Sequence, residues 1–106
     1  MSVLLLLLSG TLSASQTPRK DLALFYRRAC AECHGQDGGA RSPFGLRLAG
    51  RNLADHRWQA KTPDADMVKA ILKGKREMPA FGASLSEEDA KRLVTEILRP
   101  MAARKN

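Results

Sequence analysis

Two cysteines and a histidine stand together in the run Cys30-Ala31-Glu32-Cys33-His34. They are the only cysteines in the 106 residues, and the chain has only two histidines. Cys-x-x-Cys-His is the pattern of covalent haem attachment, because two thiols at this spacing can each add to a vinyl group of one haem. The adjacent imidazole then lies where it can bind the iron. The run therefore predicts one covalent haem c, attached through Cys30 and Cys33, with His34 as an iron ligand.

Two other uses of clustered cysteines compete with haem. A structural zinc site normally needs four Cys or His ligands, and the only further candidate is His56, with no second paired motif. A redox dithiol of the thioredoxin type would follow a strand within a βαβ pattern. Residues 21–29, before the motif, instead have apolar side chains at helical spacing. We therefore place haem attachment ahead of both alternatives.

A second iron ligand is predicted 44 residues after His34, in the run Glu77-Met78-Pro79-Ala80-Phe81-Gly82. A thioether is a soft ligand suited to the sixth position of a haem iron, and a His/Met pair raises the reduction potential. Pro79 restricts the backbone directly after Met78. Of the four methionines, only Met78 lies in a loop bounded by glycine and proline between two predicted helices. We expect Met78 to be the second axial ligand.

In this order and spacing, the pieces resemble the small monohaem class I c-type cytochromes of bacteria, over residues 17–100. The matching pieces are the helix that ends in the haem motif, the turn Gln36-Asp37-Gly38-Gly39, the methionine loop 74–82, and Leu85-Ser86-Glu87-Glu88-Asp89 at the start of a last helix. The resemblance implies an all-α fold. It would be a single cytochrome c-like domain of three to five short helices, wrapped around one covalently bound haem.

Two residues in the irregular stretch 40–61 are expected to support the haem. In the resembled family a proline carbonyl accepts the proton of the proximal imidazole, which fixes the ring. Pro43, nine residues after His34, is the candidate for this role. Trp58, the only tryptophan, can donate its indole N–H to a haem propionate or pack against the porphyrin. The competing interpretations are an ordinary turn proline and an ordinary core tryptophan.

Capping signals predict three helices around these loops. Thr17-Pro18 is expected to begin the first helix and Thr62-Pro63-Asp64 the second, in each case a cap residue followed by proline. Gly74 is expected to end the second helix. The third begins with a capping box at Ser86 and carries a clear apolar stripe, until Pro100 ends it. No internal repeat or second domain is evident.

Residues 1–16 have the features of an export signal, an apolar run followed by small residues at which a peptidase could cut. The apolar run, residues 3–8, is too short to span a membrane, and no basic residue precedes it. We predict that residues 17–106 form the cytochrome c domain, without a transmembrane segment. Haem attachment in bacteria that resemble this family takes place outside the cytoplasm, so we expect the protein to work in the periplasm.

The net charge of +7 is carried entirely by residues at or after Arg19. In an exported protein such a surface suits an acidic redox partner or an anionic membrane surface, through steering more than tight binding. Nucleic acid is disfavoured by export and by the lack of a base-reading motif. Lys73, Lys75 and Arg76 lie just before Met78 and are expected to surround the exposed haem edge.

These expectations together indicate a one-electron carrier rather than an enzyme, because two axial ligands leave no iron position for a substrate. The protein would act as a monomer or as part of a redox complex. Two other functions remain as alternatives. One is the haem subunit of an oxidoreductase complex. The other is a haem-based gas sensor, in which NO or CO displaces a weakly bound Met78.

Overall fold

The structure is a computed structural model of the chain and describes residues 19–103. Residues 1–16, the predicted export signal, lie outside the described part. Regular structure in 19–103 is helical, apart from two isolated β-bridges. The helices are α1 (Leu22–Ala29), α2 (Ala31–His34), α3 (His56–Lys61), α4 (Asp64–Lys73), α5 (Glu87–Arg92), a π-helical segment (Leu93–Leu98) and α6 (Arg99–Ala103). This arrangement confirms the all-α fold class.

We predicted that Thr17-Pro18 starts the first helix, but α1 begins at Leu22. Thr17 and Pro18 themselves lie outside the described residues. Asp21 caps α1 instead, because its carboxylate accepts the backbone N–H of Leu24 at 3.0 Å. An aspartate is as good an N-cap as a threonine, and it lies closer to the apolar face of the helix. α1 then leads into α2 through the single residue Cys30.

Two further helices differ from the sequence-based boundaries. α3 lies within the stretch expected to be irregular, and Asp55 caps it. α4 begins after Pro63, which is itself the N-cap residue, so Thr62 does not cap this helix. Gly74 ends α4 as predicted, with a φ of 78° that few other residues adopt without strain.

α5, the π-helical segment and α6 form one continuous rod. The predicted capping box at its start is present, with reciprocal hydrogen bonds between Ser86 and Asp89. We expected the last helix to end at Pro100, but the rod continues to Ala103. The backbone N–H of Arg99 bonds to a carbonyl five residues back, that of Val94. This wider turn comes directly before the proline, whose ring would clash with the carbonyl of an ordinary α-helical turn.

The core lies where α1 and α4 pack against this rod. Its buried members from the three elements are Leu22, Tyr26, Met67, Val68, Ile71, Ala90, Leu93, Val94, Leu98 and Met101. Gln59 ties α3 to the same rod, because its side-chain amide donates to the carbonyls of Leu53 and Leu98. The helices thus form a scaffold that holds α2 at one end of α1 and the methionine loop at the end of α4.

Candidate haem site

The haem motif occupies a single helical turn. α2 carries Cys33 and His34, and Cys30 is the residue immediately before it. Both thiols are free, with Cys30 half-buried and Cys33 exposed. Burial, assisted by the neighbouring Cys33, raises the pKa of the Cys30 thiol to about 11. Reactive dithiols of the thioredoxin type have lowered thiol pKa values and follow a strand. Here a helix precedes the motif, so the geometry does not support the dithiol alternative.

The imidazole of His34 is held by the main chain. Its Nδ1 lies 2.8 Å from the carbonyl oxygen of Arg51. A carbonyl can only accept, so Nδ1 must carry the hydrogen, and Nε2 is left with the lone pair that a metal requires. We expected Pro43 to supply this carbonyl, but the structure assigns the role to Arg51. Pro43 is instead exposed, in a loop beside α2.

The chain after α2 folds back over the end of this helix. The carbonyl of His34 accepts the N–H of Ala40 at 2.7 Å, and that of Cys33 accepts the N–H of Gly50 at 2.7 Å. These bonds satisfy carbonyls that a helix end would otherwise leave without partners. A Cβ added at Gly50 would lie 2.5 Å from the Cys33 oxygen and 2.8 Å from His34 Nδ1. Only glycine therefore allows the returning chain to pass so close to the ring.

Tyr26 ties α1 to the residue that follows the motif. Its side chain is only 2% exposed, and its hydroxyl donates to the carbonyl of Gly35 at 2.6 Å. Burial, with smaller contributions from Cys30 and Asp37, raises the pKa of the phenol above its ordinary value. The hydroxyl therefore keeps its proton and remains a donor. This bond joins the middle of α1 to the end of α2.

Met78 lies in a tight turn after α4. It forms an isolated antiparallel bridge with Lys75, in which each N–H donates to the other's carbonyl at 3.0 to 3.1 Å. Arg76 within the turn has a φ of 55°, which is uncommon for a residue with a side chain. The turn packs closely against Gly74, since a Cβ added there would lie 2.8 Å from the Met78 oxygen. The Met78 side chain is half-buried and packs against the core.

The chain after Met78 is fastened to the end of α4. The N–H of Phe81 donates to the carbonyl of Ile71 at 2.8 Å, and that of Gly82 to Leu72 at 3.1 Å. The Phe81 ring meets Phe25 of α1 edge to face, with ring centroids 5.7 Å apart. This aromatic pair connects the methionine loop to the helix that leads into the haem motif.

Trp58 stands next to the residue that holds His34. It is half-buried against the core, and the guanidinium carbon of Arg51 lies 5.2 Å from its ring centroid. Arg51 thus contacts His34 through its carbonyl and Trp58 through its side chain. His56, at the start of the same helix, is exposed. A haem contact of Trp58 remains a prediction.

Sequence reasoning missed three groups near His34. They are the carbonyl of Arg51, the missing side chain of Gly50 and the hydroxyl of Tyr26. The Arg51 carbonyl and the missing side chain of Gly50 give no side-chain signal in the sequence. Tyr26 does give one, because a tyrosine rather than a phenylalanine on the buried face of a helix needs a partner for its hydroxyl.

The residues present fit a covalently attached haem. Two free thiols have the required spacing on one turn, and the next residue is an imidazole whose Nε2 remains available. In residues 19–103, His, Cys, Asp and Glu side chains do not gather in threes to hold a bare metal ion. No helix of the same residues is long and apolar enough to cross a membrane.

The fold and the motif define a small monohaem c-type cytochrome. The model of the family described as "Cytochrome C oxidase, cbb3-type, subunit III" matches residues 18–95, and the chain belongs to this family. Similar solved structures include two of one cytochrome. The "KustC0563 c-type cytochrome" is 33% identical, with a TM-score of 0.62 over 82% of this chain and 100% of that chain. A tyrosine-to-phenylalanine variant of that cytochrome is 34% identical, with a TM-score of 0.59 over 78% of this chain and 95% of that one.

No curated protein matches the chain. Membership of the family establishes the cofactor as covalently bound haem c with its iron, and the general role as haem-based electron transfer.

Proposed function

We propose that the protein is a periplasmic one-electron carrier, in which Cys30 and Cys33 form the thioethers and His34 and Met78 are the axial ligands. The haem supplies the one-electron chemistry. The observation that carries the proposal is the hydrogen bond from His34 Nδ1 to the Arg51 carbonyl, at 2.8 Å. It fixes the ring, selects the tautomer and leaves Nε2 as the coordinating atom.

The chain's own residues favour a carrier over an enzyme. If His34 and Met78 both held the iron, they would leave it no position for a substrate. Met78 is half-buried, packs on the core and lies in a turn closed by two main-chain bonds, so the fold would help to hold its side chain for the iron. Trp58, beside Arg51, is proposed to contact the haem through its ring or its indole N–H.

The surface next to Met78 suits an acidic redox partner. Lys73, Lys75 and Arg76 are all exposed at the end of α4 and in the methionine turn. With a net charge of +7, these cations would steer an acidic protein toward this side of the molecule. Charge reversal at Lys75 should slow electron transfer at low salt, and the difference from wild type should disappear at high ionic strength.

The decisive experiment is an absorption spectrum of oxidised and reduced protein produced with a haem-attachment system. Covalent haem and the weak near-infrared band of Met-to-iron ligation are expected. Met78→Ala should retain the haem, lose the band and lower the reduction potential, because the soft thioether, which favours ferrous iron, is lost. Met67→Leu, which removes a buried core sulfur, is the matched control and should keep the band. A band that survives in Met78→Ala would assign the ligand to another residue.

A second candidate function is the haem subunit of an oxidoreductase complex, because the matching family is named for an oxidase subunit. A free carrier should purify as a monomer without an enzyme, whereas a subunit should co-purify with a catalytic partner. CO binding separates both from a gas sensor. Ferrous protein that binds CO readily at neutral pH would show that the sixth position is open, which contradicts the proposed ligation.

A further inference from the structure

The loop Arg41–Arg47, which follows the haem motif, is braced by its own polar groups. Its end residues form an isolated antiparallel bridge. Inside it, the N–H of Ser42 donates to the carbonyl of Leu46 at 2.8 Å, and the N–H of Gly45 to the carbonyl of Ser42 at 2.9 Å. The Ser42 hydroxyl accepts the N–H groups of Phe44 and Leu46, at 3.3 and 3.1 Å. The loop is therefore ordered by hydrogen bonds rather than by burial.

This ordered loop presents apolar side chains to water. Phe44 is 92% exposed and Leu46 is 67% exposed, and they are the large apolar residues that stand out from the surface of residues 19–103. Scattered single apolar residues are ordinary on a surface, whereas these two lie two residues apart on one loop braced by hydrogen bonds. Aromatic residues and arginine are the types most enriched at protein interfaces.

A groove of about 310 Å³ lies next to the loop. Ala31 and Glu32 of α2 form one part of its wall, and Arg41, Pro43 and Leu48 form another. A projecting apolar tip beside a concave groove matches a shaped protein surface better than a planar bilayer, which could cover the tip but could not fill the groove. The groove also lies against the turn that carries both haem-attachment cysteines.

The charge around the groove is mostly positive. Arg27 and Arg41 line it, opposed by the single acid Glu32, and Arg47 closes the adjoining loop. The positive charge of these three arginines favours an occupant that carries carboxylates. Arginine suits such a role because its planar guanidinium pairs with a carboxylate through two hydrogen bonds.

We propose that the Arg41–Arg47 loop and the adjoining groove dock an acidic protein partner in electron transfer. Phe44 enters an apolar pocket of the partner, and Arg27, Arg41 and Arg47 pair with its carboxylates. The inference rests on the carrier function proposed above. In addition to the cations near Met78, it gives the partner an apolar contact beside α2. The partner gains or gives one electron, and the cytochrome undergoes the opposite one-electron change.

The test follows electron exchange between the holoprotein and two preparations from the source organism, its washed membranes and its soluble periplasmic fraction. The variant Phe44→Ser/Leu46→Ser should raise the half-saturating cytochrome concentration about tenfold or more, the size of a hot-spot loss. Arg27→Glu/Arg47→Glu should give a similar loss at low salt and a smaller one at high salt. Arg41 is left intact, since its side chain braces the loop through the Gly45 carbonyl.

Two controls show that the variants act on docking alone. Lys91→Glu changes a charge on α5, which packs on α4 and carries no part of the groove, and should exchange electrons as wild type does. Oxidation by ferricyanide, a small ion that needs no apolar pocket, should proceed in Phe44→Ser/Leu46→Ser at the wild-type rate. The absorption spectrum and reduction potential of that variant should also be unchanged. A change in either would show that the apolar pair serves the haem site, and would overturn the docking proposal.

The remaining outcomes separate this proposal from the carrier function. Equal half-saturation in wild type and Phe44→Ser/Leu46→Ser overturns the docking surface and leaves the carrier function in place. If wild-type protein exchanges electrons with neither fraction, the carrier function fails and docking fails with it. Co-sedimentation of wild type, but not of the variant, with vesicles of phosphatidylglycerol would make a membrane the occupant. Self-association that the variant abolishes would make a second copy the occupant, and either result overturns an acidic protein partner.

Discussion

His34 and Met78 lie in surroundings of different construction. His34 ends a helix that continues α1, and the returning chain contacts it through the Arg51 carbonyl and the closely packed Gly50. Met78 lies in a tight turn, closed by two main-chain bonds to Lys75. The first side is held by several elements that converge on one ring, whereas the second is a short local structure attached to the end of α4.

Because of this difference, we expect mutations near His34 and mutations near Met78 to have different consequences. A change near His34 disturbs the helix end that carries the cysteines, so it should affect whether the haem site forms at all. A change near Met78 disturbs a local turn, so it should affect the proposed ligation while the haem attachment and the helical scaffold persist. Two glycines, one on each side, make the comparison directly testable, since each leaves no room for a Cβ.

The largest effect is expected from Gly50→Ala. The added methyl would lie 2.5 Å from the Cys33 oxygen and 2.8 Å from His34 Nδ1, and a main-chain carbonyl cannot move aside without displacing the end of α2. We expect a loss of roughly 3–5 kcal/mol of stability and little covalent haem, measured as haem-to-protein ratio and thermal unfolding. Gly45→Ala is the control. Its Cβ meets nothing within 4 Å, so only the strain of its φ of 81° remains, about 1–2 kcal/mol.

Gly74→Ala is the matched change on the other side and should have a smaller effect. Its Cβ would lie 2.8 Å from the Met78 oxygen, and its φ of 78° adds strain of about 1–2 kcal/mol. We expect haem attachment to persist while the near-infrared methionine band weakens or disappears. The spectrum and the haem-to-protein ratio together check this result. If Gly74→Ala lost covalent haem as Gly50→Ala does, the two sides would not be independent.

The same contrast explains which parts of the site the sequence could predict. The haem motif is a set of side chains at a fixed spacing on one helical turn, so it specified the cofactor that the family membership confirms. The partner of the His34 ring could not be predicted in this way. Every residue has the same main-chain carbonyl, whatever its side chain, so the sequence does not show which carbonyl meets the ring. The nine-residue spacing from His34 to Pro43 does not show the path of an irregular loop. Arg51 was therefore found only in the structure.

Helix ends show the same limit of local signals. Thr17-Pro18 combines a cap residue with proline, whereas Asp21 is a cap residue alone, so the local signal favoured the position that does not start α1. Pro100 carries the strongest stop signal in the chain, yet the π-helical segment before it lets the rod continue to Ala103. At Ser86 the signal consists of two residues that cap each other, and there the predicted start was confirmed.

Tyr26→Phe tests how firmly α1 is joined to the His34 side. The change keeps the ring in the core and removes one buried hydrogen bond to the Gly35 carbonyl, which still accepts the N–H of Gly38 at 3.2 Å. We expect a loss of about 1 kcal/mol in the free energy of unfolding, with covalent haem intact.

The control for this loss is Thr95→Ala. It removes an exposed hydroxyl that bonds a carbonyl of its own helix, that of Lys91, and it should change stability by less than about 0.5 kcal/mol. Chemical denaturation of the two holoprotein variants gives both values. Equal losses would mean that the Tyr26 hydroxyl contributes no more than a surface hydroxyl.

The smallest effect on the haem site should come from the capping box, which carries neither of the two proposed ligands. Ser86→Ala removes the acceptor for the Asp89 N–H and should cost about 1 kcal/mol, without changing the spectrum.

The hydrogen bond from the Ser86 N–H lowers the pKa of the Asp89 carboxyl. A lowered folded-state pKa stabilises the protein above the ordinary aspartate value, about 3.9, and this contribution is lost as pH falls through the folded-state value. Asp89→Asn should therefore be less stable than wild type at neutral pH, and the difference should shrink as the pH falls below the ordinary aspartate pKa. A difference that stayed constant from pH 7 to pH 2 would show that the carboxylate charge plays no part in the cap.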